Sequence, residues 1–482
     1  MTTNKRILNQ ALLSTVESIE SLKKLSLSGW VLVTLALYGL LSLLNQLPDP
    51  LIPLLLAISW GLLFLPLFIH HSLDWFAPPI FLFWWGVRGF LHPIIWLTQG
   101  EIDVNLPTTL DENLSLLRWV LLAHIVASAT YLLVFYGRRQ AEWARKASRN
   151  FDLGQFNNWQ SSKLVFLFLS TFPIAVASYF FILYAAGVDS LWELLMSWRS
   201  KQQLLEGKFY PLTAIMLFAL IVLMMLAHNW HTKRSRLYQW LAFIGLIIYS
   251  GAIALLGLRG YVVRVWIMAV GMFHYLVRRL SLLQIGVLIG SIFFFALLSY
   301  QVRRAAFKGE IREGHLPSVT ITFETVTQLM DEDLATRGLD NQLIAFYVFP
   351  NHIPLQWGKS WLVLLALPIP RALWKEKPVM TPGGLVRDKF YGGGGSLPLG
   401  YLGDLYANFH LPGILLGYGL LGLYHRFLYE WLKQKPKNPS TIFLYIVFLT
   451  NLPDFSPLSL IHGVIYCLPA FLLVKLVSAK GL

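Results

Sequence analysis

The sequence LPIPRALWKEKP at 367–378 and the sequence LPLGYLGDLYANFHLPG at 397–413 interrupt a chain dominated by long apolar runs. Both lie in or directly after the longest polar segment, 303–400. Two prolines precede Arg371, and they fix a turn there because proline restricts its own backbone and that of the residue before it. We therefore expect this region to hold the chemistry of the protein and the apolar runs to form its scaffold.

The composition indicates a membrane protein. Of the 482 residues, 56% are hydrophobic and 13% are charged, whereas an ordinary soluble domain carries about 25% charged residues. We predict an all-α, polytopic membrane protein of about twelve transmembrane helices, because the apolar runs approach the roughly 20 residues that span a bilayer. The predicted spans are 29–46, 51–70, 76–97, 115–136, 163–186, 210–230, 237–258, 261–278, 282–302, 403–430, 440–452 and 457–477. We expect a single transmembrane domain, 1–482, in which 303–400 forms a large extracytoplasmic loop with short helices.

The basic residues orient these spans. The positive-inside rule places short loops rich in Lys and Arg in the cytoplasm. Such residues follow the fourth, sixth, eighth and tenth spans: Arg138, Arg139, Arg145, Lys146, Arg149, Lys233, Arg234, Arg236, Arg278, Arg279, Lys433, Lys435 and Lys437. Both termini are then cytoplasmic, and 303–400 lies on the opposite side. Because topology accounts for most of the net charge of +14, we expect no nucleic-acid partner.

Ionisable residues within the predicted spans are informative, because each costs about 2.5–3.5 kcal/mol at the centre of a span. They lie mostly in the outer halves of their spans and are nearly all basic: Arg88, His92, Arg118, His124, Arg259, Arg264, Arg303 and Arg304. For Arg118 and Arg304, a side chain that extends to the membrane interface is as good an explanation as a binding site. Arg88 and Arg264 lie deeper in their predicted spans. Arginine binds phosphate through two parallel hydrogen bonds, so the group predicts a site for a lipid headgroup that carries phosphate.

Further candidates come from the outer loops. The loop between the fifth and sixth spans contributes Arg199, either in a helix resting on lipid or as a substrate contact, and Lys375 and Lys377 follow Arg371. Asp404 stands at the outer entry of the tenth span, where it could accept a proton from a sugar hydroxyl. His352, His410 and His462 are alternative bases. No metal-binding spacing such as HExxH or DxD occurs, and we expect neither a metal ion nor a cofactor.

Two motifs resemble the Wzy-type polymerases of O-antigen and exopolysaccharide repeat units. The first matches that family's Pro-Arg, aromatic, Lys-Pro element at Arg371, Trp374, Lys377 and Pro378. The second, GDLYANFHLPGILLGYGLLGLY at 403–424, matches its acidic, Tyr, Asn-Phe segment at Asp404, Tyr406, Asn408, Phe409 and Gly413. GLRGYVV at 257–263 is similar to the family's short outer turn. The chain differs in carrying Asp404 where the family more often has Glu, and His410 where it has Gly.

The resemblance implies a metal-independent glycosyltransferase at the outer face of the bacterial inner membrane. It would polymerise oligosaccharide repeat units linked to undecaprenyl diphosphate, with a flippase and a chain-length regulator as partners. From the motifs and the charge pattern together, we predict Asp404, Arg371 and His352 as catalytic residues. The predicted substrate-binding residues are Arg88, Arg199, Arg259, Arg264, Lys375, Lys377, Tyr406 and Asn408. An O-antigen-ligase-like transferase shares this architecture, and a non-enzymatic flippase for the same lipids is a third interpretation.

Overall fold

The structure is a computed structural model. It describes residues 27–69, 74–87, 92–104, 106–151, 159–187, 210–232, 236–256, 258–307, 338–362, 369, 373–374, 381–391 and 396–478. Its helices are α1 (Leu27–Leu44), α2 (Leu51–Ile69), α3 (Pro78–Val87), α4 (His92–Gln99), α5 (Leu110–Tyr136), α6 (Arg138–Asn150), α7 (Ser161–Ala185), α8 (Tyr210–Thr232), α9 (Arg236–Leu255), α10 (Arg259–Leu276), α11 (Leu282–Phe307), α12 (Gly338–Val348), α13 (Lys359–Leu362), α14 (Pro382–Phe390), α15 (Gly400–Gln434), α16 (Pro439–Asn451), α17 (Pro457–His462) and α18 (Leu468–Val477). A single π-helical turn, Gly463–Cys467, joins the last two.

The described chain is 82% helical and contains no strands. Within it, seven helices are long and apolar enough to cross a membrane, and they coincide with seven of the predicted spans: α1, α2, α5, α7, α8, α9 and the run Pro457–Val477. Three more predicted spans coincide with the shorter apolar helices Gly260–Leu276, Leu282–Ile292 and Pro439–Asn451. The all-α membrane class is thus confirmed, whereas the number of twelve spans and their orientation stay predictions.

Two predicted spans differ from the structure. The third, 76–97, consists of two short helices, α3 and α4, on either side of residues 88–91, which lie outside the description. The tenth, 403–430, falls within α15, where His410 has non-helical backbone angles and Pro412 follows. A proline inside a helix removes one hydrogen bond and collides with the preceding turn, so the run 403–430 does not continue as a straight helix.

The helix starts obey a rule that is visible in the sequence. Thr381, Asn438 and Ser456 each precede a proline, and each side chain accepts a hydrogen bond from a backbone N–H three residues later. A hydroxyl or amide oxygen at this position satisfies one of the free N–H groups of the first turn, and proline fits directly after it because its missing N–H is not needed there.

The chain divides into two compact units. Unit 1 comprises Met1–Val134, Asp333–Leu355 and Pro398–Gly422, and unit 2 comprises the remainder. The predicted outer loop therefore contributes residues to both units. In unit 1, α1 packs on α2, where Trp30 donates from Nε1 to the backbone oxygen of Gly61. Arg118 pairs with the buried carboxylate of Asp49, which gives this arginine a structural partner.

Unit 2 is built around α8, whose residues from Ile215 to Asn229 are almost all buried. Close packing is possible because α9 presents Gly245 to Val222, where an added Cβ would lie 3.0 Å from the valine side chain. Small residues permit such approach between membrane helices. The unit also contains α6, a polar helix at a place where the sequence analysis predicted only a basic loop.

Candidate functional site

α15 begins as a helical hairpin and not as a straight span. The hydroxyl of Tyr401 donates to the backbone oxygen of Gly417 at 3.1 Å, although residues 16 positions apart on a straight helix would be about 24 Å apart. The reversal occurs at His410, whose φ of 57° is in the left-handed region. Residues 400–409 therefore form a short arm that folds back against the helix starting at 411.

Glycines permit this reversal. A Cβ at Gly417 would overlap the side chain of Leu405 and lie 3.0 Å from the hydroxyl of Tyr401, and one at Gly413 would lie 2.9 Å from the backbone oxygen of Leu405. Gly413 and Gly417 form a GxxxG pattern, which allows two helix backbones to approach closely. The motif at the start of the predicted tenth span is thus an element packed within unit 1.

The other face of the arm rests on α12. Gly400 has a φ of 71°, and a Cβ there would lie 3.2 Å from Nε2 of Gln342. A Cβ at Gly403 would lie 3.4 Å from the Cβ of Ala345. Tyr406 stacks on Phe346 with ring centroids 3.7 Å apart, and its other ring neighbour is His410 at 4.6 Å. Tyr406 is buried and holds the arm in place.

Asp404 and Asn408 lie one turn apart on this arm. Both are buried, Asp404 to 8% exposure and Asn408 completely. The amide of Asn408 donates to the backbone oxygen of Asp404 at 2.8 Å. Asp404, Tyr406 and Asn408 therefore lie on one short arm, inside unit 1 and not on an open surface.

A polar cluster in unit 1 surrounds the start of α12. Asp340 accepts from Nδ1 of His92 at 3.0 Å, and both side chains are almost fully buried. Gln342 bonds to Nε2 of His124. The second carboxylate oxygen of Asp340 and the side-chain nitrogen of Asn341 are buried without a hydrogen-bond partner among the described residues. Since unmet buried polar groups are uncommon, these two atoms are natural contacts for water or a hydroxyl-bearing ligand.

In unit 2, Arg264 lies among aromatic rings. Its guanidinium is 5.5 Å from the ring centre of Tyr261 and 5.9 Å from that of Tyr466. Its Nε and Nη1 atoms are buried and have no hydrogen-bond partner among the described residues, and no described carboxylate pairs with it. A cation in a membrane helix normally has a counter-charge or faces water, so Arg264 is equipped to bind an anion.

Unit 2 also contains an apolar cavity of about 480 Å³, and Arg264 is not among the residues that line it. Side chains of α7, α8 and α9 line it: Phe172, Ala175, Val176, Tyr179, Phe180, Leu183, Ile215, Phe218, Ile248, Tyr249, Ala252 and Leu255. Tyr249, on α9, is one of the lining residues of this cavity.

The structure describes the remaining predicted residues to three different extents. His352 is exposed, and its ring lies 4.7 Å from that of Tyr347. α10 begins at Arg259, whose side chain is outside the description, as are those of Arg303 and Arg304. Outside the described residues altogether lie Arg88, Arg199, Arg371, Lys375, Lys377 and the glycine run at 392–395. Among the described residues, no group of three or more His, Cys, Asp or Glu side chains could hold a metal ion.

Sequence reasoning missed Asp340 and Gln342, which it had assigned to a mixed polar loop. Their partners, His92 and His124, had been noted as ionisable residues within spans. A local signal existed in RGLDNQLIAFYV at 337–348, where Leu339, Leu343 and Phe346 recur at helical spacing. No protein-family model, no curated protein and no solved structure matches the chain, so the family resemblance rests on the sequence motifs alone.

Proposed function

We propose that the protein is a membrane glycosyltransferase that polymerises undecaprenyl-diphosphate-linked oligosaccharide repeat units. It would act at the periplasmic face of the bacterial inner membrane without a metal ion. The observation that carries the proposal is Arg264, a cation in an apolar helix that has no described anionic partner; the same unit contains an apolar cavity. The two sequence motifs give the reaction class.

The donor would be a growing glycan on undecaprenyl diphosphate. Arg264 would bind a phosphate oxygen, and the cavity at Tyr249 would take part of the isoprenoid chain. A positive charge held at this place stabilises the negative charge that develops on the leaving diphosphate. Arg88, Arg199, Arg259, Arg371, Lys375 and Lys377 stay further candidates for this contact.

The acceptor would be a fresh lipid-linked repeat unit. A hydroxyl oxygen of its terminal sugar attacks the anomeric carbon of the donor glycan, the bond from that carbon to the phosphate oxygen breaks, and the diphosphate lipid departs. The hydroxyl proton passes to a base, for which Asp404 and the exposed His352 are the candidates. Buried Asp404 could reach a hydroxyl only if the arm at 400–409 lines the acceptor site, a requirement that mutation can test.

The decisive experiment supplies purified protein in vesicles with lipid-linked repeat units and separates the products by size. A ladder of lengths supports a polymerase. A single capped product would instead identify a ligase-like transferase, and movement of intact substrate across the bilayer without a new glycosidic bond would identify a flippase. The Arg264→Met variant should give no ladder, and the Arg278→Gln variant, at an exposed site on the same unit, should give a normal one.

A further inference from the structure

The helix α6 fits a membrane surface. We propose that its exposed face, formed by Arg139, Trp143 and Lys146 and called here the basic face, binds anionic phospholipid headgroups of the phosphatidylglycerol class. The proposal rests on the structure of α6 and its neighbours in unit 2, and it is independent of the glycosyltransferase proposal.

The opposite face of α6 is fixed to the end of α15. Ala141, Ala144 and Ser148 recur at helical spacing and are buried. The side-chain amide of Gln434 donates to the hydroxyl of Ser148 at 2.9 Å and to the backbone oxygen of Arg145 at 3.3 Å. A helix attached at several points holds its outer side chains in a constant arrangement.

The C-terminal half of α6 is held by charge and aromatic packing as well. Arg145 lies 3.7 Å from Glu430, a buried carboxylate that also pairs with Arg426 at 2.6 Å. Phe151, directly after the helix, packs on Phe427 with ring centroids 6.1 Å apart. α6 is therefore part of the folded unit.

The basic face lies on the side of α6 away from these contacts. Arg139, Trp143 and Lys146 are four and three residues apart, so they share one side of the helix. Trp143 is 54% exposed, and neither basic residue pairs with a described carboxylate. Arg138 differs, since it pairs with Glu142 at 3.2 Å, and its charge is already compensated.

The position of α6 indicates which partner the basic face meets. α5 has 27 residues, a length of about 40 Å against a hydrocarbon core of about 30 Å. Only Gly137 separates it from α6, so α6 begins at the depth of the lipid headgroups. Tryptophan concentrates at this depth, and Lys and Arg there attract anionic lipids. An acidic protein partner would not require a tryptophan between the two cations.

The test is a lipid titration of the full-length protein in detergent. Phosphatidylglycerol or phosphatidylcholine is added, and thermal unfolding is followed at each concentration. We expect phosphatidylglycerol to raise the midpoint temperature of the wild type more than phosphatidylcholine does. In Arg139→Gln/Lys146→Gln, the concentration of phosphatidylglycerol needed should rise about 30-fold, since each cation near a surface is worth roughly fivefold in binding.

The matched control is Arg278→Gln/Arg279→Gln. It removes the same charge from two exposed residues in another basic loop of unit 2, and it should titrate as the wild type does. An equal loss in the control would show that total charge alone attracts the lipid, and the proposal would fail. An unchanged titration in the α6 variant would also overturn it and would leave an acidic protein as the occupant of the basic face.

Discussion

The substitution Arg264→Met distinguishes an anion-binding arginine from a structural one. Replacement removes an insertion cost of at most about 2.5–3.5 kcal/mol, the value for a charge at the centre of a span. It also removes two cation–π contacts, worth about 0.5–2 kcal/mol each. These terms nearly cancel, so the free energy of unfolding of the ligand-free protein should change by no more than about 2 kcal/mol, in either direction.

Arg426→Met is the matched comparison, because Arg426 is also a largely buried arginine of unit 2. Its guanidinium pairs with Glu430 at 2.6 Å and donates to the backbone oxygen of Phe135 at 3.2 Å. Removing one partner of a buried ion pair costs about 3–5 kcal/mol, and the loss here should be near the lower end, because Glu430 keeps its longer contact of 3.7 Å with the half-exposed Arg145. The two variants lose the same charge, yet only Arg426→Met should unfold at a clearly lower temperature.

The chain contains a natural probe for measuring thermal unfolding of these variants. Cys467 is its single cysteine and is 5% exposed, so a fluorogenic maleimide reacts with it only on unfolding. Because Cys467 and Arg264 belong to the same unit, intrinsic tryptophan fluorescence serves as a second readout that does not depend on the thiol. Each melting curve is recorded with and without a polyprenyl diphosphate.

The second half of the prediction concerns the effect of a diphosphate ligand on the melting temperature. A ligand at 100 times its dissociation constant stabilises the folded state by about 2.7 kcal/mol, so the diphosphate should raise the midpoint for the wild type and for Arg426→Met, but not for Arg264→Met. A loss of stability in Arg264→Met as large as that in Arg426→Met would refute the reasoning. An undiminished diphosphate shift in Arg264→Met would refute it too.

Three further predictions follow. Gly417→Leu should separate the arms of the α15 hairpin and lower the unfolding temperature, whereas Gly419→Ala should be tolerated because its nearest neighbour is 3.9 Å away; equal effects in thermal unfolding would contradict the hairpin. Asp340→Ala removes the partner of a buried histidine and should cost about 1–3 kcal/mol, measured as a lower midpoint with the same reporter. Arg371→Ala should abolish chain elongation while the protein still accumulates in the membrane, and polymer of normal length from this variant would exclude a diphosphate role for Arg371.

The positions of most helices could be predicted because they depend on local pattern. An apolar run long enough to cross a bilayer forms a helix to satisfy its backbone, and Ser, Thr or Asn before Pro marks where several helices begin. The hairpin of α15 was not predicted, because the apolar pattern continues through its turn. The signals were Pro412 and the glycines at 413 and 417, which we interpreted as part of a span.

The polar cluster at α12 could not be predicted, because its partners are distant in sequence. Asp340 and His92 are 248 positions apart, and Gln342 and His124 are 218 apart. Nothing near Asp340 indicates that a histidine from another helix will reach it. The apolar spacing within 338–348 indicates a helix, but it does not show which distant side chains meet the polar groups that this helix carries into the interior, where those groups need partners.

The contrast between Arg264 and Arg426 shows what local sequence can still reveal. Both are arginines in apolar helices with aromatic neighbours, so a sequence inspection that records only charged residues within apolar runs does not distinguish them. Arg426 has Glu430 four residues later, the spacing at which side chains meet on one helix face. Arg264 has Gly260, Tyr261, Ile267 and Met268 at the corresponding positions, and none of these can neutralise it. A membrane arginine without an acid one turn away faces water or obtains its counter-charge from another segment or from a ligand, and for Arg264 the described residues of the structure supply no counter-charge. The comparison of the two methionine variants, with and without the diphosphate, tests whether an anion supplies it.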